Sequence, residues 1–266
     1  MFVFPPTDSN LDRFARLLAD GAVVGIPTET VYGLAANALN PEACRKIFSL
    51  KGRPLVDPLI VHVRDWAAVS GLARTNEVAT RLAMAFWPGP LTLILPKKAA
   101  VPDLVTAGRS TVAIRVPRHP VAQKLLRRLD YPLAAPSANP FGYISPTRPE
   151  HVAESFGSAL PYILDGGPCE IGLESTIVDL SQANQSIVLR PGAISVQDLS
   201  AVAGHPVQIR LPSLGHSETA TAPGTYSRHY SPKTPMVLFP EGNVPPIEEE
   251  AAVLFLQRPP EHHRKP

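Results

Sequence analysis

Cysteine is scarce in this sequence, with only Cys44 and Cys169 among 266 residues. That excludes a disulfide scaffold, and without a CxxC pair it excludes a zinc ribbon. Neither sign of charge is in surplus: 25 Lys and Arg stand against 23 Asp and Glu, a formal net charge of +2. So small an excess does not by itself imply nucleic-acid binding. Long hydrophobic runs are missing too. None approaches the roughly 20 apolar residues that a membrane-spanning helix needs. The opening MFVFPPTDSN has neither the basic segment nor the long apolar stretch of a secretory signal. A cytoplasmic protein with no membrane partner is the expectation. The GxxxxGKS/T phosphate loop, GxGxxG after a strand, GxSxG and HExxH are likewise absent, so the usual nucleotide, esterase and zinc-hydrolase signatures give no support.

What is present is enough apolar material for a sizeable core, at 44% of residues with 18% charged, which argues against a mainly disordered chain. Proline is abundant, at 31, and about twice as dense after residue 205 as before it. The expected organisation is a compact body over 1–205, a proline-punctuated linker or lid over 206–235, and a tail over 236–266 that either leans on the body or begins a second domain.

Within the body, helical and strand periods alternate. Leu11, Phe14, Leu17 and Leu18 have helical spacing and Gly21 follows as a stop; Asn40-Pro41 reads as a cap and first turn. That helix runs to about Leu50. Further helices are expected over 75–86, 120–129, 149–156 and 196–203. Strands are expected over 22–26, 59–63, 91–95, 111–116, 133–135, 162–164, 176–180 and 187–189. The tail adds two strand-like runs, 236–239 and 252–256. Interleaving of this kind predicts an α/β layer architecture.

Polar clusters sit at the strand ends. Pro27-Thr28-Glu29-Thr30-Val31-Tyr32-Gly33 lies between a strand and what reads as a short helical run, so its threonines either cap that run or line a pocket at the sheet's edge. Lys51 and Arg53, two apart, point to one side if the chain is extended there and suit a polyphosphate or carboxylate; as cations near a helix C-terminus they also suit its dipole. His62 ends a strand, where a core or rim position is the commoner role. Arg115 stands alone in an apolar strand and must be paired or face a ligand. Ala135-Pro136-Ser137-Ala138-Asn139 and Ser145 are either turn formers or hydrogen-bond donors to phosphate or ribose, and Glu174-Ser175-Thr176 and Arg190-Pro191-Gly192 repeat the theme of polar residues at strand ends. Cys44 falls inside a helix as a small hydrophobe, and nothing marks Cys169 as a thiolate. Together these clusters describe a basic, hydroxyl-rich cleft without a nucleophile.

The order of the clusters is specific. PTETVYGL (27–34), SLKGRP with DPLIVHV (49–63), STVAIRVP (110–117), APSAN (135–139), ESTIVD (174–179), LRPG (189–192) and PGTYSRHYSP (223–232) resemble the threonylcarbamoyl-AMP synthase family, the YrdC-like proteins, in its longer branch. The resemblance implies a twisted mixed β-sheet with surrounding helices, followed by a linker and a small Rossmann-like domain. It also implies synthesis of L-threonylcarbamoyladenylate from L-threonine, bicarbonate or CO2, and ATP, with release of pyrophosphate. The product would serve a separate transferase that modifies the adenosine beside the tRNA anticodon, so tRNA and the transferase complex are possible partners.

Carried over by motif, Thr30, His62, Arg115, Ala135 and Ser175 resemble the threonine set, with Arg115 as a bidentate carboxylate partner. Lys51, Arg53, Asp57, Thr111, Ser137, Asn139, Ser145, Arg190 and Tyr230 resemble the ATP set, although many relatives carry Asn where Asp57 stands. Lys51 and Arg53 are the expected catalytic cations, and Lys51→Ala is expected to abolish turnover while leaving the fold intact. Magnesium is expected to accompany ATP, with no dedicated protein metal site. Two alternatives stay open: an RNA-binding module, and a carbamoyl-adenylate-forming domain like that of hydrogenase-maturation proteins.

Overall fold

The computed structural model describes residues 2–182 and 185–210. The chain divides into two units, Met1–Ser231 and Pro232–Pro266, and the described residues all belong to the first. The expected linker beyond residue 210, the tail strands and Tyr230 lie outside the described residues.

Eleven strands form one mixed sheet among the described residues. In chain order they are β1 (Val3–Phe4), β2 (Val24–Ile26), β3 (Gly33–Asn37), β4 (Ile60–His62), β5 (Leu91–Pro96), β6 (Thr111–Arg115), β7 (Leu133–Ala134), β8 (Ile163–Leu164), β9 (Thr176–Asp179), β10 (Ile187–Arg190) and β11 (Gln208–Ile209). Their spatial order is β1-β8-β2-β3-β7-β4-β6-β5-β9-β10-β11. β4 runs parallel to β6 and β5 parallel to β9, whereas β5 and β6 are antiparallel. The helices are α1 (Asp8–Ala19), α2 (Pro41–Lys51), α3 (Glu77–Phe86), α4 (Asp103–Thr106), α5 (Pro120–Leu126), α6 (Pro149–Phe156) and α7 (Val196–Ala203).

Local chemistry sets most of these boundaries. Thr7 caps α1 by accepting from the Asn10 amide, and Asn40 caps α2 by accepting from Glu42 and Ala43. Gly52 ends α2 at φ +61°, a left-handed position that glycine occupies without steric cost. Asn76 and Ser195 cap α3 and α7 in the same way. One sequence reading is corrected: the run after Pro27–Val31 is the strand β3, not a helix. Gly33–Asn37 pairs antiparallel with β2, and a central sheet position overrides its alanine-rich composition.

Period-2 alternation gives the central strands two different faces. On one, Val61, Leu93, Ile114 and Val178 enter the larger core with Ile47, Leu82 and Leu199 from α2, α3 and α7. On the other, Leu11, Phe14 and Leu18 of α1 and Leu125 of α5 cover β2, β3 and β7. Further along that second face, His62, Arg115 and Thr92 stand side by side in register on β4, β6 and β5. Three polar side chains abreast on a sheet mark where the apolar cover stops.

Candidate active site

A cleft lies over this row. Thr28, Thr30, Arg53, His62, Arg115, Ala135, Ser137, Glu174, Ser175 and Arg190 are among the residues lining it. Of the fourteen residues singled out in the sequence, it gathers eight: Thr30, Arg53, His62, Arg115, Ala135, Ser137, Ser175 and Arg190. Lys51, Asp57, Thr111, Asn139 and Ser145 are not among its lining residues, and Tyr230 lies outside the described residues.

Arg115 ends β6, and its surroundings fix it from behind. Its Nη2 donates to Glu29 Oε1 at 2.8 Å, Nη1 to Thr30 Oγ1 at 2.9 Å and Nε to the Gly89 carbonyl at 3.3 Å. Glu29 Oε2 accepts in turn from the Arg118 amide at 3.0 Å. Three of the five guanidinium N–H groups are thereby used, and two have no partner among the described residues. Burial alone would raise the Glu29 carboxyl, but the Arg115 charge and hydrogen bond overcome it and hold its pKa below the ordinary value.

The loop carrying Thr30 is shaped by Thr28, whose hydroxyl donates to the Val31 carbonyl at 2.6 Å and accepts from the Thr30 and Val31 amides, both at 3.2 Å. His62 is buried, and its Nδ1 has no partner among the described residues. Burial, with Arg115 beside it, pushes its pKa down to about 3, so the imidazole is neutral at physiological pH.

Ser175 lies at the entry to β9. Its Oγ sits 2.7 Å from Thr92 Oγ1 and accepts from Arg190 Nη2 at 3.1 Å, while Arg190 Nε and Nη2 also donate to its carbonyl. Gly192 makes this possible. A Cβ there would come within 2.5 Å of the Thr176 amide nitrogen and 2.7 Å of the Glu174 carbonyl, so no larger residue fits the approach of 190–192 to 174–176.

Lys51 is the last residue of α2, with Gly52 turning the chain after it, so Lys51 and Arg53 do not share an extended stretch as their spacing suggests. The buried Lys51 ammonium donates to the carbonyls of Ser137 at 2.5 Å and Asn139 at 2.6 Å, tying α2 to the loop that presents Ser137. Burial, and then the Arg53 charge, lower its pKa well below the usual lysine value, against opposing pulls from Asp57 and Glu174. Asp57 pairs with Arg53 at 2.9 Å and is itself buried; burial outweighs its cationic neighbours and raises its pKa. Ser145 donates to Glu174, which lines the cleft. Asn139 donates to the carbonyls of Pro140 and Tyr143, both at 2.9 Å, and Thr111 begins β6.

The sequence reading names Glu29 and Glu174 only as members of their clusters, with no role of their own, and does not name Thr92. For Glu29 a signal existed: a lone arginine in an apolar strand demands a carboxylate, and one sits inside the threonine cluster. Neither cysteine offers a thiolate, since burial raises Cys44 to about 12 and Cys169 to about 11. The cleft thus supplies hydroxyls, arginines, a neutral histidine and the Glu174 carboxylate. That set positions an anion and stabilises charge rather than forming a bond to substrate. Among the described residues, no helix is long and apolar enough to cross a membrane, and no group of three His, Cys, Asp or Glu side chains is placed to hold a metal.

Comparison with known proteins agrees on the architecture. The chain matches the Sua5/yciO/yrdC family model, described as telomere recombination, over residues 16–192. It matches a second model, described as threonylcarbamoyl-AMP synthase, C-terminal domain, over residues 194–263. It is 45% identical over 226 residues to a threonylcarbamoyl-AMP synthase of Pyrococcus abyssi, covering 84% of this chain and 66% of that protein. It is 44% identical over 233 residues to one of Bacillus subtilis, covering 87% and 67%. The crystal structure of P. abyssi Sua5 complexed with L-threonine superposes with a TM-score of 0.83 at 42% identity, covering 87% of this chain and 69% of that one. The chain spans about two thirds of the length of these relatives.

Proposed function

This chain belongs to the Sua5/yciO/yrdC family, and from that premise we propose that it synthesises L-threonylcarbamoyladenylate from L-threonine, CO2 or bicarbonate, and ATP as its magnesium complex. One observation carries the reading: eight residues spread from Thr30 to Arg190 converge on a single cleft rich in hydrogen-bond donors. A relative of 42% identity with L-threonine bound supports the amino-acid assignment.

Thr30, His62, Arg115, Ala135 and Ser175 take the threonine, with the two unused N–H groups of Arg115 set against its carboxylate. Arg53, Ser137 and Arg190 face the nucleotide. Lys51 and Asn139 hold the Ser137 loop, Asp57 orients Arg53, and Ser145 orients Glu174. Thr111 and Tyr230 complete the nucleotide set carried over by motif. In the reaction the threonine amine attacks CO2, forming a C–N bond and losing a proton. A carbamate oxygen then attacks the α-phosphorus, and the bond to the bridging oxygen breaks as pyrophosphate departs. No step requires a protein nucleophile. Catalysis comes from positioning and from cations facing the phosphoryl charge. Exclusion of water protects a carbamate and a mixed anhydride that both hydrolyse readily. A product so labile is passed on at once, and the tRNA-modifying transferase complex is its proposed recipient.

The test is pyrophosphate release from ATP with each substrate omitted in turn, with mass spectrometry of the adenylate. Release that needs both threonine and bicarbonate is the expected result; release indifferent to threonine overturns the proposal.

A further inference from the structure

The register that aligns His62 and Arg115 places Thr92 next in the row, fully buried on β5. Its Oγ1 lies 2.7 Å from Ser175 Oγ, its one hydrogen-bond contact among the described residues. Each hydroxyl has a single proton and two acceptor positions. Were Ser175 to donate, the Thr92 proton would be buried with nothing to accept it, an arrangement that folded proteins avoid. Thr92 is therefore the donor. Arg190 Nη2 also donates to Ser175 Oγ, at 3.1 Å, so both acceptor positions of Ser175 are filled within the protein. Its own proton is left to face the cleft it lines.

We infer that Thr92 is a positioning residue that makes Ser175 an obligate hydrogen-bond donor, so the amino-acid substrate is read there through an acceptor oxygen and an N–H group is refused. This rests on the amino-acid reading of the cleft given above. Ser175 and the two unused N–H groups of Arg115 therefore both offer donors to the cleft. This fixes the polarity of the bound amino acid: carboxylate or carbamate oxygens toward Ser175 and Arg115, nitrogen away from them.

The experiment compares L-threonine with L-threoninamide by calorimetric titration of the full chain. Threoninamide binds wild-type protein more weakly, because its amide N–H meets donors. In Thr92→Val, Ser175 regains a free acceptor position and its proton loses its fixed direction. Threonine then binds about five-fold more weakly, the worth of one ordinary hydrogen bond, and the penalty against threoninamide shrinks. Thr92→Ser restores both values, and the threonine KM rises in Thr92→Val while the ATP KM and melting temperature hold. Thr92→Ala stands in should the valine variant fail to fold. The inference is overturned if the variant keeps the wild-type discrimination, or if serine does not rescue it. It is equally overturned if wild-type protein binds both amino acids alike, whatever the variants do. Wild-type protein that binds neither overturns the functional reading itself, a result separate from the variant comparison.

Discussion

Replacing Glu29 by alanine tests how the cleft is held. Arg115 and Glu29 are only 4% and 2% exposed, and their ion pair is 2.8 Å long. Exposed pairs contribute little, but removing one partner of a buried pair leaves an uncompensated charge, at about 3–5 kcal/mol. The Arg118 amide also loses its acceptor. Glu29→Ala should therefore lose about 3–5 kcal/mol in urea denaturation at pH 7. Glu29→Gln is no substitute, since its NH2 must face either the Arg115 or the Arg118 donor. Acid should reveal the same pair. The Glu29 carboxyl is held below its ordinary value of 4.5, so its contribution is whole above that pH and is lost as pH falls through the lower folded value. Glu29→Leu combined with Arg115→Met removes both charges and should recover much of the stability while remaining inactive. A loss below about 1 kcal/mol in Glu29→Ala, or a double variant no more stable than the single one, refutes the account of an unpaired buried charge.

Lys51→Ala should abolish turnover and, contrary to the reading from sequence, also lower the melting temperature, because the ammonium binds two loop carbonyls; an inactive variant with an unchanged melting temperature would restore the purely catalytic role. His62 is neutral in the fold down to about pH 3 and ordinarily titrates near 6.5, so its contribution is complete above 6.5 and declines from there toward 3. His62→Gln should flatten that part of the stability–pH curve, and an NMR titration showing protonation near pH 6 would refute the assignment. Gly192→Ala should lose about 1–3 kcal/mol by overpacking against Glu174–Thr176 and weaken amino-acid binding; a wild-type melting curve would show that the close approach is not needed.

Much of this was legible from residue order. Caps at Asn40 and Gly52 marked α2, near-continuous Val, Ile and Leu marked the central strands, and clusters at strand ends marked eight residues that meet in the cleft. β3 was misread because Gly-Leu-Ala-Ala-Asn has no strand-like composition, and its pairing with β2 decides the matter. Short β1 and β11 escaped notice because two residues carry no period. The roles of Lys51 and Thr92 depend on contacts 83 to 88 residues away, and no local pattern reports such contacts. The resemblance was specific because its motifs recur in fixed order, whereas each motif alone would pass for a turn.

The abreast placement of His62, Arg115 and Thr92 has a cost in tolerance. Side chains on a strand alternate between faces, so sliding β6 by one residue would present Ile114 where Arg115 belongs and drive a guanidinium into the large core. No partial binding competence can survive such a slip. Ligands should accordingly recognise only correctly threaded molecules, and an added amino acid would act as a selective brake on unfolding of the whole sheet.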